Sequence, residues 1–159
     1  MLTPVKSKSH RAEGTFVIVA SRYNARYVDA MLLAAKTTLS KAGAKIRIVR
    51  VPGAYEIPVV VARLARQSEE EPLAGIICLG VILRGETVHA AHIGEAVSEA
   101  LMRIQTAHEI PVIHEVLLLE NKQQAEKRCL DKKHNRGTEA AQTALEMASV
   151  MENLGGEKF

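Results

Sequence analysis

The sequence predicts a doubly wound α/β fold, a parallel sheet with helices on both faces. Three observations carry this reading. Short β-branched runs alternate with longer segments of helical periodicity along the chain. The run Gly75-Ile76-Ile77-Cys78-Leu79 is apolar almost throughout, as expected of a strand covered on both faces. The 159 residues, 47% hydrophobic and 25% charged, suit one ordinary domain with a sizeable core. With aromatic residues at only 3%, that core has to be aliphatic.

The elements follow in order. A first strand is predicted over residues 15–21. A helix over 25–42 places Val28, Met31, Leu32, Ala35 and Leu39 on one face, and Gly43 stops it. After a second strand over 45–51, Pro52-Gly53 signals a turn into a helix over 56–67 carrying Val59, Val60 and Leu64. A third strand spans 74–81, and Thr87 is placed to cap a long helix in which Ile93, Val97, Leu101 and Ile104 recur at helical spacing. A fourth strand over 110–118 leads to helices over 121–130 and 138–154. Right-handed crossovers through this order give three layers and the flavodoxin-like strand order 2-1-3-4. Residues 14–159 read as a single domain, and residues 1–13 as a polar, flexible or partner-docking arm.

Several function classes are disfavoured. The net charge is +3, with Lys6, Lys8 and Arg11 in the arm and Lys127, Arg128, Lys132 and Lys133 near the end. No basic stripe runs along one element and stacking aromatics are few, which argues against nucleic acid as the partner. Cys78 and Cys129 lack metal or redox spacing, so both read as packing residues in a reducing, cytoplasmic setting. No apolar run reaches membrane-span length, and the N-terminus lacks the apolar core of a secretion signal. The phosphate-loop, nucleophile-elbow and dinucleotide fingerprints do not occur. His89, His92 and Glu95 stand at steps of three, which drift around a helix axis, so no metal site is read there.

The fold class itself locates a site. In doubly wound sheets ligands bind beyond the carboxyl ends of the strands, where the winding reverses. That point lies between strands one and three, at loops 22–26 and 82–89. Arg84-Gly85-Glu86-Thr87-Val88-His89 enters a helix N-terminus, where free N–H groups and the dipole favour an anion such as phosphate. His89, in the first turn, can exchange protons near neutral pH; alternatively Thr87 is only a cap and His89 a solvated residue. Tyr23 offers a ring for a flat heterocycle, or else plugs the end of the core. Glu56, at a helix start, accepts from sugar-like hydroxyls or simply complements the dipole. Arg128 is either a bidentate phosphate clamp or a solvated surface residue.

Taken together, Ser21-Arg22-Tyr23-Asn24, Val51-Pro52-Gly53-Ala54-Tyr55-Glu56-Ile57-Pro58, the segment from Leu79 to His89 and Ala144-Leu145-Glu146-Met147-Ala148 resemble the lumazine synthases of riboflavin biosynthesis. The resemblance covers the chain from about Thr15 to Leu154. It implies condensation of 5-amino-6-(D-ribitylamino)uracil with 3,4-dihydroxy-2-butanone 4-phosphate to 6,7-dimethyl-8-ribityllumazine, with loss of phosphate and water. No metal or organic cofactor is implied.

Position by position, the resemblance implies that Tyr23 stacks on the pyrimidine. Ala54, Tyr55 and Glu56 would line the ribityl pocket, and Val81, Ile82 and Leu83 would contact the ring. Glu86 and Thr87 would offer backbone N–H groups to the phosphate, Arg128 would bind it, and His89 would donate a proton. His114 occupies a position that is commonly Phe and belongs to the neighbouring subunit's wall of the pocket. Pentamers with shared sites, sometimes multiplied into larger assemblies, are implied. Two further departures are Ala90-Ala91-His92, where the family usually has an aromatic and then an acid, and a 129–135 segment without glycine. The alternative function is a non-catalytic paralogue that binds flavins or ribityl compounds.

Overall fold

The computed structural model describes residues 13–156; all but the last residue of the predicted arm lies outside them. Strands β1 (Thr15–Ser21), β2 (Lys45–Val51), β3 (Gly75–Leu83) and β4 (Val112–Leu119) form one sheet in the order β2-β1-β3-β4, parallel throughout. The helices are α1 (Ala25–Lys41), α2 (Ile57–Gln67), α3 (His89–His108), the short α4 (Lys122–Ala125) and α5 (Arg136–Gly156). Fold class and strand order are those predicted. No described helix is long and apolar enough to cross a membrane.

Strand alternation divides the core between two faces. Phe16, Ile18 and Ala20 of β1 pack with Val28, Met31 and Leu39 of α1 and with Ala140, Ala144 and Leu145 of α5. Val17 and Val19, pointing the other way, pack with Ile57, Val61 and Leu64 of α2 and Val97 and Leu101 of α3. Both cysteines are free and buried, one in each cluster. Burial pushes the Cys129 thiol up to about 11, and Cys78 is raised further, so both pack as neutral thiols.

Element ends depart from the sequence prediction for local reasons. β3 runs on to Leu83 because β4 pairs with it as far as Leu119. Thr87 is not the cap of α3: the helix starts at His89 after Val88, and the Thr87 hydroxyl reaches only the His89 N–H, at 3.4 Å. The helix predicted over 121–130 divides. Asn121 caps α4 by accepting from the Gln124 N–H at 2.9 Å, and residues Glu126–Leu130 then widen into a π turn.

α5 begins at Arg136, two residues before the predicted start. Asn135 accepts from the Gly137 N–H at 2.8 Å and donates to the Cys129 carbonyl at 2.6 Å. That amide ties the π turn to the head of α5. Gly137 has a further role. A Cβ there would lie 2.0 Å from the Met31 carbonyl oxygen, so α1 and α5 approach as closely as they do only because the side chain is absent.

One polar chain fastens α3 to the outer strand. His114 Nδ1 accepts from the Val116 N–H at 3.2 Å, which leaves Nε2–H to donate to Ser98 Oγ at 2.7 Å. Ser98 in turn donates to the Gly94 carbonyl at 2.8 Å. His114 is exposed as a whole, but desolvation of its ring where it meets α3 lowers its pKa from the ordinary 6.5, against a backbone hydrogen bond that raises it.

Two outcomes follow. Gly137→Ala forces α1 from α5 and lowers the unfolding free energy by about 2–3 kcal/mol, measured by urea denaturation. His114 takes up its proton more readily in the unfolded chain, so its contribution is whole above pH 6.5 and drains as pH falls through the depressed folded value. His114→Gln therefore shows a shallower loss of stability than the parent between about pH 7.5 and about pH 5.5; parallel losses would refute this.

Candidate active site

Hydrogen bonds draw the loops at the carboxyl edge of the sheet together. After β1, the Arg22 N–H donates to the Val51 and Pro52 carbonyls at 2.8 and 3.1 Å, and the Tyr23 N–H to Pro52 at 3.0 Å. Asn24 then turns left-handed, with φ 57° and ψ 41°, a conformation that Asn tolerates. Its Nδ2 donates to the Val81 carbonyl at 2.7 Å. The β1 loop is thus fastened to both neighbouring strands, and the Tyr23 side chain stands 71% exposed above them.

Gly53 opens a 3₁₀ turn, Ala54–Glu56, ahead of α2. A Cβ at Gly53 would lie 2.8 Å from the Tyr23 ring and 2.9 Å from the Glu56 carboxylate; the missing side chain lets these two groups converge. Glu56 Oε2 accepts from the Gly53 N–H at 2.9 Å. Its other oxygen has no hydrogen-bond partner among the described residues and is available to a ligand hydroxyl.

The third wall is α3. Residues Arg84 to His89 are exposed, and the first N–H groups of the helix have no intrahelical acceptors. His89, His92, Ile93 and Ala96 stand at i, i+3, i+4 and i+7, on one face. With Tyr23, Gly53, Ala54, Tyr55 and Glu56 they line a cleft of about 620 Å³. The cleft offers a flat ring surface, a carboxylate acceptor, an imidazole and, near its mouth, free amide donors. Among the described residues, no three His, Cys, Asp or Glu side chains converge as metal ligands do.

Five residues singled out from the sequence thus meet: Tyr23, Ala54, Tyr55, Glu56 and His89. The others do not line this cleft. Val81 is buried, its carbonyl taken by Asn24. Ile82 and Leu83 are half-buried at the end of β3, and Glu86 and Thr87 are exposed on the loop that follows. His114 is bonded to Ser98 of α3, and Arg128 is exposed on the π turn. Sequence reasoning passed over Asn24, Gly53, Ile93 and Ala96 as site-forming residues, and treated His92 as a possible metal ligand and as part of the departure that follows His89, not as a wall of the site. Helical spacing from His89 was the available signal for the three on α3.

Comparison with known proteins identifies the family. The sequence model of the 6,7-dimethyl-8-ribityllumazine synthase family matches residues 13–152. The 6,7-dimethyl-8-ribityllumazine synthase of Stenotrophomonas maltophilia is 42% identical over 142 residues, covering 87% of this chain and 90% of the relative. Proteins of the same name from Xylella fastidiosa and Xanthomonas campestris are each 41% identical, over 146 and 142 residues, covering 90% and 87% of this chain and 93% and 90% of the relatives. The chain belongs to the 6,7-dimethyl-8-ribityllumazine synthase family.

Proposed function

We propose that this protein is a cytoplasmic enzyme of riboflavin biosynthesis that joins 5-amino-6-(D-ribitylamino)uracil to 3,4-dihydroxy-2-butanone 4-phosphate, yielding 6,7-dimethyl-8-ribityllumazine. The observation that carries this is the single cleft in which Tyr23, the Ala54-Tyr55-Glu56 turn and His89 face one another. The amine of the pyrimidine condenses with the ketone to an imine, releasing water. Phosphate is expelled, and ring closure releases a second water. These steps need two reactants held in register and protons moved between them. They call on no redox change.

Each residue has a place in that sequence. Tyr23 provides the face on which the pyrimidine stacks, with Val81, Ile82 and Leu83 at the end of β3 as its backing. Glu56 accepts from ribityl hydroxyls beside Ala54 and Tyr55. Glu86 and Thr87 present backbone N–H groups to the phosphate at the head of α3. His89, one turn away, gives and takes the protons. Arg128 closes on the phosphate as a bidentate clamp.

His114 and Arg128 lie away from the cleft of their own chain, which supports a site completed by a neighbouring copy in a pentamer. Tyr23, Tyr55, Val59 and Val88 are 65–71% exposed, and the first two line the cleft itself. Such a concentration of exposed apolar side chains beside a site fits an interface between copies.

The test is direct. The assembled protein, mixed with the two substrates, produces lumazine fluorescence above the spontaneous rate. His89→Ala lowers kcat on the order of 10²-fold. Arg128→Ala chiefly raises KM for the phosphate-bearing substrate, by about tenfold. Parent-like kinetics in both variants would remove these assignments, and product formation no faster than in buffer would remove the function.

A further inference from the structure

We infer that Arg136 is a positioning residue which, by pairing with the buried carboxylate of Glu115, leaves the neighbouring Arg128 free to meet an anion. The inference rests on the phosphate-binding role proposed above for Arg128.

Glu115 follows His114 on β4, and its side chain is 8% exposed. A carboxylate so placed has to be paired or protonated. Arg136 supplies the pairing: Nε and Nη2 donate to the two carboxylate oxygens at 3.0 and 2.9 Å. Its remaining nitrogen, Nη1, bonds Glu139 one turn along α5. All three of its nitrogens therefore donate to carboxylates of the same chain, and three of the five guanidinium N–H groups are committed to Glu115 and Glu139.

Arg128 stands beside this pair and takes no part in it. The Asn135–Cys129 hydrogen bond, at 2.6 Å, joins the residue before Arg136 to the residue after Arg128. The two guanidinium-bearing turns are therefore held side by side. Both arginines act electrostatically on Glu115. Yet Arg128 is exposed and makes no ion pair or hydrogen bond among the described residues. Glu115 engages Arg136 bidentately, and no hydrogen bond or ion pair ties it to Arg128 among the described residues. Without Arg136, Glu115 would be buried and unpaired, and Arg128 is the other cation whose field reaches it. Arg128 would then swing inward and be lost to the phosphate.

The test uses the full-length assembled protein and inorganic phosphate as the probe, with KM for both substrates measured in parallel. Arg136→Met should weaken phosphate binding and raise KM for the phosphate-bearing substrate by about tenfold, while KM for the pyrimidine stays within about twofold. The double variant E115Q/R136M removes the competing carboxylate and should return phosphate affinity to within about threefold of the parent. Arg136→Lys keeps the counter-charge and should stay close to the parent. Equal losses in Arg136→Met and the double variant would mean that Arg136 binds the anion itself, overturning the inference. So would unchanged affinity in Arg136→Met.

Arg128→Met separates the two levels. If it leaves phosphate affinity intact, the phosphate-binding role of Arg128 fails and the inference falls with it. If it weakens binding while Arg136→Met does not, only the inference falls. Should Arg136→Met not assemble, Glu115→Gln alone decides, since it is expected to hold or tighten phosphate binding and a loss would refute the positioning role.

Discussion

β1 sits in the middle of the sheet, covered on both faces, and the chain on either side of it winds in opposite senses. Leaving β1, the backbone turns to one face and forms α1 on the way to β2. Leaving β3, on the other side of β1, it turns to the opposite face and forms α3 on the way to β4. Above the strand ends the β1 loop, the turn after β2 and the first turns of α3 enclose the cleft. The winding brings these three segments to one edge of the sheet. The position of the cleft depends on the aliphatic alternation of Phe16 to Ala20, which commits each residue of β1 to one cluster or the other. A slip of one residue in that register would exchange the faces and put the loops on different neighbours.

Strand order and layer assignment were legible in the sequence because periodicity and crossover handedness are local or nearly universal rules. The cleft was half legible. Tyr23, Glu56 and His89 lie immediately after strand ends, where the fold rule alone directs attention. Gly53 was read as a turn residue, whereas its importance is the room it leaves between the Tyr23 ring and the Glu56 carboxylate. That is a tertiary fact with no sequence signature. Asn24 was likewise hidden, since a left-handed residue whose amide reaches across to Val81 depends on a partner 57 residues away. Glu115 and Arg136 drew no attention at all. A single acid in a strand and a single base at a helix start are commonplace, and only the packing of α5 against β4 brings them together.

The π turn shows a similar limit. Residues 121–130 read as a plain amphipathic helix, and most of them are helical. The widening at Glu126–Leu130 comes from what the turn has to meet. Ala125 and Cys129 are buried in the α1–α5 core cluster, Glu126 pairs with Arg26 of α1 at 3.4 Å, and the Cys129 carbonyl must remain accessible to Asn135. A regular α-turn meets these demands in a different phase, and one extra residue per turn changes which side chains face inward. The same adjustment leaves Arg128 on the exposed side, between two buried neighbours in the helical repeat.

Much of the positive charge around the carboxyl edge is paired inside the protein, while Arg128 and the head of α3 are left without internal partners among the described residues. Arg84 pairs with Glu120, Arg50 with Asp29, Arg26 with Glu126 and Arg136 with Glu115, so most of the positive charge near the cleft is already matched. The head of α3 has no such match. It has no acidic residue in its first turn, and its cap position, Val88, offers no side-chain acceptor. Thr87, the residue placed to cap it, reaches only one N–H at a long 3.4 Å. A well-capped helix would have satisfied these donors internally and offset the positive end of its dipole. Left open beside His89, the same donors can donate to a phosphate oxygen at a point where an imidazole is within reach. The poor cap costs α3 some stability. What it preserves is the feature on which the anion half of the proposed reaction depends.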